Sequence, residues 1–493
     1  MPPRVGRPAG RPALTTPVGP EIPAIADRRC LSLTPGRCWR SRVAGLFLFL
    51  PLLARVQFDQ LVSRAGYPGS EQIPATSALL SLLTLKLLDK ERRSTSAHKF
   101  MYTFFTLTQA FFLKGEARGS VYELLRRGSS HIDDFNFDEA VGLFAGLNIP
   151  PKKSYATEYS YRTGRDHQYH LLAGWVGALA PLLFPHAKSF ALDFHPIPFR
   201  GETTALEQHY LPTRGKAGTS VLSFFAQEQE SRVLCYANAN LTRRDQAGET
   251  LRFVEFWHAI TGTDPEWLYL DSKVAPYQEL SKLNQRGIWF ITIRRRGAAI
   301  LRRLHALPPN HWQHAVLDTA HRRHQRIRYV DETVQLPGYG GGMRQLAVTG
   351  LGREQPTLFL SNHTQESARS LIVRYAGRNR VEDALGISVN FFHLDCLASE
   401  VRLNVDLDAM LTVLANGCYR WLAKQLHGFE TAAPKQLYRH FVETSGTIEL
   451  EYEQIVVRFD KRSHNPILRE AALDQPRQPI PWLQHLPVVF RYL

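Results

Sequence analysis

Residues 266–296 read EWLYLDSKVAPYQELSKLNQRGIWFITIRRR: a strand, an acid, a helix, a second strand and a basic exit. Residues 267–270 form a short apolar, aromatic-rich run that suits a buried strand. Val274, Tyr277, Leu280 and Leu283 recur at helical spacing, Gly287 stops that helix, and residues 288–293 make the next strand. The pattern predicts an α/β fold. It also puts Asp271 at the carboxyl end of a buried strand, where α/β sheets place their chemistry.

Two other carboxylates are candidates to meet it. Residues 190–192 are a short apolar strand delivering Asp193, and the next residues, His195-Pro196-Ile197-Pro198, predict that the strand stops there, since proline suits neither a helix interior nor a central strand. In LIVRYAGRNRVEDAL, Tyr375, Arg378 and Glu382 stand at i, i+3 and i+7, which lines them along one face of a helix. Each acid also has a plain structural role open to it. Asp193 can cap the turn before the prolines, Asp271 can be the N-cap of the helix that follows, and Glu382 can pair with Arg378 at the surface. Asp383, Asp395 and Glu400 are alternatives to Glu382 as the third acid.

The order Asp193, Asp271, Glu382, with Tyr-x-x-Arg-x-x-x-Glu around the last, resembles the DDE transposases of bacterial insertion sequences over roughly residues 190–426. Where that family's motif continues to a Lys seven residues after the Glu, this chain has Val389 followed by Asn390. The resemblance implies a ribonuclease H-like mixed sheet flanked by helices, in which the first and fourth strands lie side by side and bring Asp193 to Asp271. It implies that Asp193, Asp271 and Glu382 are catalytic and hold Mg²⁺, with Mn²⁺ as a substitute. Carboxylates and phosphate oxygens suit such an ion, and two ions about 3.5–4 Å apart activate the attacking oxygen and stabilise the leaving one. It further implies that Tyr375 and Arg378 bind DNA phosphates, that the partners are double-stranded element ends and target DNA, and that a dimer assembles on DNA. A nuclease that cuts without transfer and a non-catalytic DNA-binding regulator are the alternatives.

With 493 residues the chain is expected to form two to four structural units. Lys and Arg total 60 against 45 Asp and Glu, a net charge of +15 that favours a polyanionic partner, nucleic acid first. The five cysteines form no CxxC pair and no zinc spacing, which fits a reducing cytoplasm. The apolar runs at 44–54 and 171–185 fall short of the ~20 residues that span a bilayer, so they are expected to be core helices with no membrane partner. A signal peptide is not expected, because a Pro- and Arg-rich stretch precedes the first apolar run.

Along the chain, residues 1–43 are expected to be a disordered basic arm, either a DNA contact or an unselected start upstream of the first domain. Residues 44–187 read as an all-α DNA-binding region. Within it, helices at 137–147 and 154–163 flank the stiff link Asn148-Ile149-Pro150-Pro151, as a groove-reading pair or an ordinary helical hairpin. Residues 95–130 have no assignable role. The catalytic core is expected over 188–294 and 369–430, the latter with an amphipathic helix at 407–426 packing on the sheet. Residues 295–368 interrupt the core as a β-rich basic insertion, with strands at 326–334, 343–349 and 357–361. The arginines opening that stretch, Arg294, Arg295 and Arg296, together with Lys273, are assigned to phosphate binding, because guanidinium forks match phosphate oxygens. Residues 431–493 are expected to form a hairpin, in TIELEYEQIVVRF, and a proline-rich tail.

Overall fold

The computed structural model describes residues 31, 33–88, 139–151, 153–198, 207–211, 215–272, 274–319, 322–394 and 404–493. Lys273, Asp395, Glu400 and the stretch 95–130 lie outside them, as does most of the expected basic arm. The arm's last residues are not free of the fold, for Cys38–Ser41 is a strand, β1.

Apolar density at the N-terminal end produces short buried helices. The 3₁₀ turn Ala44–Phe49 has all six residues buried and leads into α1 (Leu50–Arg55) and α2 (Phe58–Arg64), followed by α3 (Ala75–Leu87). The two helices expected on either side of the link at 148–151 appear as α4 (Glu139–Phe144) and α5 (Lys153–Tyr161), and α6 (Arg165–Leu183) packs on the core. Among the described residues no single helix is long and apolar enough to cross a membrane. One pair does pass by length and composition together, Ala44–Arg55 with Phe58–Arg64, bent by 60°.

The sheet that carries the candidate acids begins with β2 (Ser189–Pro198), β3 (Glu207–Leu211), β4 (Lys216–Glu228) and β5 (Leu234–Leu241). It continues through α7 (Glu249–Thr261), β6 (Trp267–Leu270), α8 (Tyr277–Gln285) and β7 (Trp289–Arg294). The all-apolar run of β6 is buried at every residue, as a strand covered on both faces requires. It lies parallel between β2 and β7, in register Leu192 to Leu270 and Leu268 to Phe290.

β2 does not stop at its prolines. Its pairing with β6 ends at Leu192, but its antiparallel pairing with β4 runs on from Phe190 opposite Glu228 to Pro198 opposite Ser220. Backbone N–H groups alternate sides along a strand, so Pro196 and Pro198 withdraw donors from one side only. That side is open once β6 has ended, and an open edge tolerates proline.

The β-rich stretch is no separate unit. After α9 (Ala298–His305) come β8 (Gln313–Thr319), β9 (Arg322–Gln335), β10 (Gly342–Thr349) and β11 (Thr357–Ser361). Beyond β7 they add antiparallel strands in the order β11-β10-β9-β8, so one ten-stranded sheet contains core and insertion alike. A small satellite core of Leu304, Val330, Ala347 and Leu358 fixes α9 to it.

The expected single helix around Glu382 is two helices, α10 (Ala368–Ala376) and α11 (Asn379–Asn390), broken at Gly377 and Arg378. The expected amphipathic helix is α12 (Val405–Gln425), which is buried on all sides: from Val405 to Ala423 only Asp406 is not buried. An all-round buried helix belongs to the centre of a core, and α12 touches β5, α6 and α3. After α13 (Pro434–Leu437), the predicted hairpin forms as β12 (Gly446–Leu450) and β13 (Ile455–Phe459). The proline-rich tail folds too, into α14 (Asn465–Ala471) and β14 (Val488–Tyr492), and the second sheet has the order β1-β12-β13-β14. Trp39, Leu192, Leu414 and Phe490 belong to one apolar cluster, so the expected units share a core rather than each owning one.

Candidate active site

Asp193 and Asp271 each stand one residue beyond the last paired residues of two parallel neighbours, Leu192 and Leu270. The register alone therefore sets the two carboxylates side by side. Asp271 does not cap α8, whose N-cap is Pro276 without a side-chain hydrogen bond, and no turn follows Asp193 for it to cap. The backbone N–H of Phe194 donates to Asp193 Oδ1 at 2.9 Å.

The third acid arrives by way of Arg378. This guanidinium is 5% exposed and forks between two carboxylates, donating from Nη2 to Asp193 Oδ2 at 2.9 Å and from Nη1 to Glu382 Oε1 at 2.6 Å. The surface pairing of Arg378 with Glu382 is thus real, and it is also what links Glu382 to the strand-end acid. Tyr375, on the preceding helix, donates from its hydroxyl to the carbonyl of Leu270 at 3.3 Å and packs edge-on against Phe359. It ties the end of α10 to the end of β6, next to Asp271.

Burial pushes the Asp193 carboxyl up to about 6; Arg378 pulls it down, while the charges of Asp271 and Glu382 add to the rise. Burial and the same acidic neighbours raise the Tyr375 hydroxyl, against the opposing pull of Arg378. The Arg378 guanidinium is held above its ordinary value, its burial outweighed by Asp193, Tyr375, Asp271 and Glu382 together.

A cavity of about 1110 Å³ opens over this cluster, between the insertion strands and α10 and α11. Asp271, Glu382 and Arg378 line it, whereas Asp193 does not; it lies behind Arg378. Arg294, Arg295 and Arg296 also reach the cavity, but they differ in availability. Arg294 is engaged, donating to Gln345 Oε1 at 2.6 Å in a chain that runs on to Glu332 and Arg303. Arg295 and Arg296 are exposed.

Sequence reasoning missed two cavity arginines. Arg353 comes from the turn after β10, and Arg380, near the start of α11, donates to the carbonyl of Gln229 at 2.8 Å. Only Arg380 carried a signal, being two residues before Glu382. Asp383, the alternative third acid among the described residues, lines the cavity as well.

Oxygen donors of this kind suit Mg²⁺ or Mn²⁺ in type; the Asp193 carboxyl is raised chiefly by burial, with Asp271 and Glu382 adding to the rise against the pull of Arg378. Among the described residues, no group of three or more His, Cys, Asp or Glu side chains is spaced to hold a metal ion; in this geometry the guanidinium joins the acids.

No family model matches the chain, and no curated protein matches it in sequence. A solved structure, the cryo-EM structure of the piggyBac transposase synaptic complex with hairpin DNA, matches with a TM-score of 0.39 and 10% identity, covering 82% of this chain and 82% of that one. At that distance the two folds are not equated.

Proposed function

We propose that the chain is a DNA transposase of the DDE type with a ribonuclease H-like catalytic core, which binds the terminal inverted repeats of its own element and catalyses DNA cleavage and strand transfer. The observation that carries this reading is the convergence of Asp193 and Asp271 from adjacent parallel strands with Glu382, joined through Arg378, at an arginine-lined cavity. The parallel pairing of β2 with β6, which sets Asp193 beside Asp271, supports this reading.

Asp193, Asp271 and Glu382 would hold Mg²⁺ or Mn²⁺, which supplies activation of the attacking oxygen and charge stabilisation of the leaving oxygen in phosphoryl transfer. The protein's own contribution is positioning. Exposed Arg295 and Arg296 neutralise phosphates entering the cavity, and Arg353 does so from the insertion side. Tyr375 holds the Glu382-bearing segment against the strand ends. The partners in this reading are double-stranded element ends and target DNA, joined by a dimer in the cytoplasm.

The test uses the DNA flanking the gene: labelled element ends and a plasmid target are incubated with wild type and with Asp271→Ala, in Mg²⁺ or EDTA. Strand-transfer products that need both the cation and Asp271 are expected, with the variant's activity reduced to background. Cleavage without joining would move the assignment to a nuclease. Specific end binding with no cation-dependent chemistry would move it to a regulator.

A further inference from the structure

We propose that Arg378 is an exchangeable internal counter-ion, closing the Asp193 side of the site to divalent cations until a phosphodiester in the cavity draws the guanidinium away. The inference rests on the reading of the three carboxylates as a cation site. Arg378 spends two of its nitrogens on Asp193 and Glu382, while its Nε is buried without a hydrogen-bond partner. A cation entering from the cavity meets Asp271 and Glu382 directly, but it meets the guanidinium before Asp193, which does not line the cavity.

A guanidinium and a divalent cation repel, so they cannot share the same pair of carboxylates at a few ångströms in a partly dry site. Arg378 has somewhere else to go. It sits at the break between α10 and α11, it already lines the cavity, and a phosphate seated among Arg295, Arg296 and Arg353 would offer its fork a bidentate partner of equal geometry. Moving there trades two carboxylates for one phosphate and frees the carboxylates for the cation. Linkage then makes the effect reciprocal: polyanion raises cation affinity, and cation raises polyanion affinity by the same factor.

The measurement is Mn²⁺ binding to the full chain, followed by electron paramagnetic resonance with no turnover, with and without a short DNA duplex. In wild type the duplex is expected to tighten Mn²⁺ binding about tenfold, an ordinary coupling. Arg378→Gln should bind Mn²⁺ about tenfold more tightly than wild type without DNA and gain nothing further from the duplex. Arg378→Lys, a point charge that cannot fork, should fall between them. Wild-type-like weakness in Arg378→Gln overturns the proposal, and so does a duplex effect that survives in it. If Arg378→Gln does not fold, the wild-type pair of measurements decides, since a duplex that leaves Mn²⁺ affinity unchanged is equally fatal. Absence of Mn²⁺ binding in every protein and condition removes the cation-site reading itself, whereas cation-dependent cleavage by wild type with no gain in Arg378→Gln removes only the exchange.

Discussion

Asp193 is drawn two ways, by burial and like charges that favour its protonated form and by Arg378 and the Phe194 N–H that favour the carboxylate. Burial prevails, and the folded value near 6 lies above the value of about 4 for an unfolded aspartate. Between those values the folded chain binds the proton more tightly, so stability falls as pH rises. The side chain is less than one-third exposed, so the shift corresponds to as much as ~3 kcal/mol. The stability of wild type relative to Asp193→Asn should therefore be greatest below about pH 4, decline to about pH 6 and stay level above it. Urea titrations of both proteins across that range check it; a difference that grows with pH would mean that the ion pair outweighs burial. The sequence revealed the three acids and the Arg378 spacing, but the contact between Arg378 and Asp193 spans 185 residues and has no local signature.

Elements are joined by buried polar contacts, one of which links α3, α11 and α12. Lys86 on α3 donates to Asp408 Oδ1 on α12 at 2.6 Å and to the carbonyl of Phe392 at 2.7 Å, just past the end of the Glu382-bearing helix. Both side chains are 5% exposed. Removing one member of such a pair strands a buried charge, so Lys86→Met should destabilise the protein by about 3–5 kcal/mol. Lys86→Met with Asp408→Leu should recover much of that, because no buried charge is then left unpaired, although the Phe392 carbonyl still loses the Lys86 donor. Chemical denaturation of the single and double variants distinguishes the cases, and equal losses in both would mean that packing rather than charge holds the elements. Close approach matters as well: a Cβ on Gly45 would stand 2.0 Å from the carbonyl oxygen of Phe441, so this glycine sets how near the N-terminal turn lies to the segment before β12. Neither feature is legible in sequence. Lys86 reads as the polar residue of an apolar helix, and Gly45 as one small residue in an apolar run.

Across the molecule, charge and sheet continuity act together. A net charge of +15, with exposed arginines concentrated at a cavity on the strand-end side of the sheet, predicts nucleic-acid binding that weakens steeply with salt. The slope of log affinity against log salt should be about −0.9 per phosphate contacted. Arg295→Ala with Arg296→Ala should reduce its magnitude by about 2, nearly uniformly across DNA sequences. Fluorescence anisotropy at several salt concentrations measures both, and an unchanged slope would take these two arginines out of the interface. The 295–368 stretch contributes to this surface because it extends the sheet of Asp193 and Asp271 through β11.

What the sequence by itself determined was local: the strand, acid, helix and strand at 266–296, the hairpin at 447–459, the positions of Asp193, Asp271 and Glu382, and the basic balance. Apolar periodicity and strand-end acids are short-range signals, so a single sequence carries them. Tertiary structure decided the rest. The prolines of β2 were acceptable only because its pairing with β6 ends at Leu192. The edge strand β8 and the short β3 hold mixed polar residues with no clear alternation, so their pairing with β9 and β4 defines them. The tail folded because β13 presented an edge for β14. Arg378 became the hub of the site for the same reason: a side chain's role is set by what the fold brings within about 3 Å of it, the reach of a hydrogen bond.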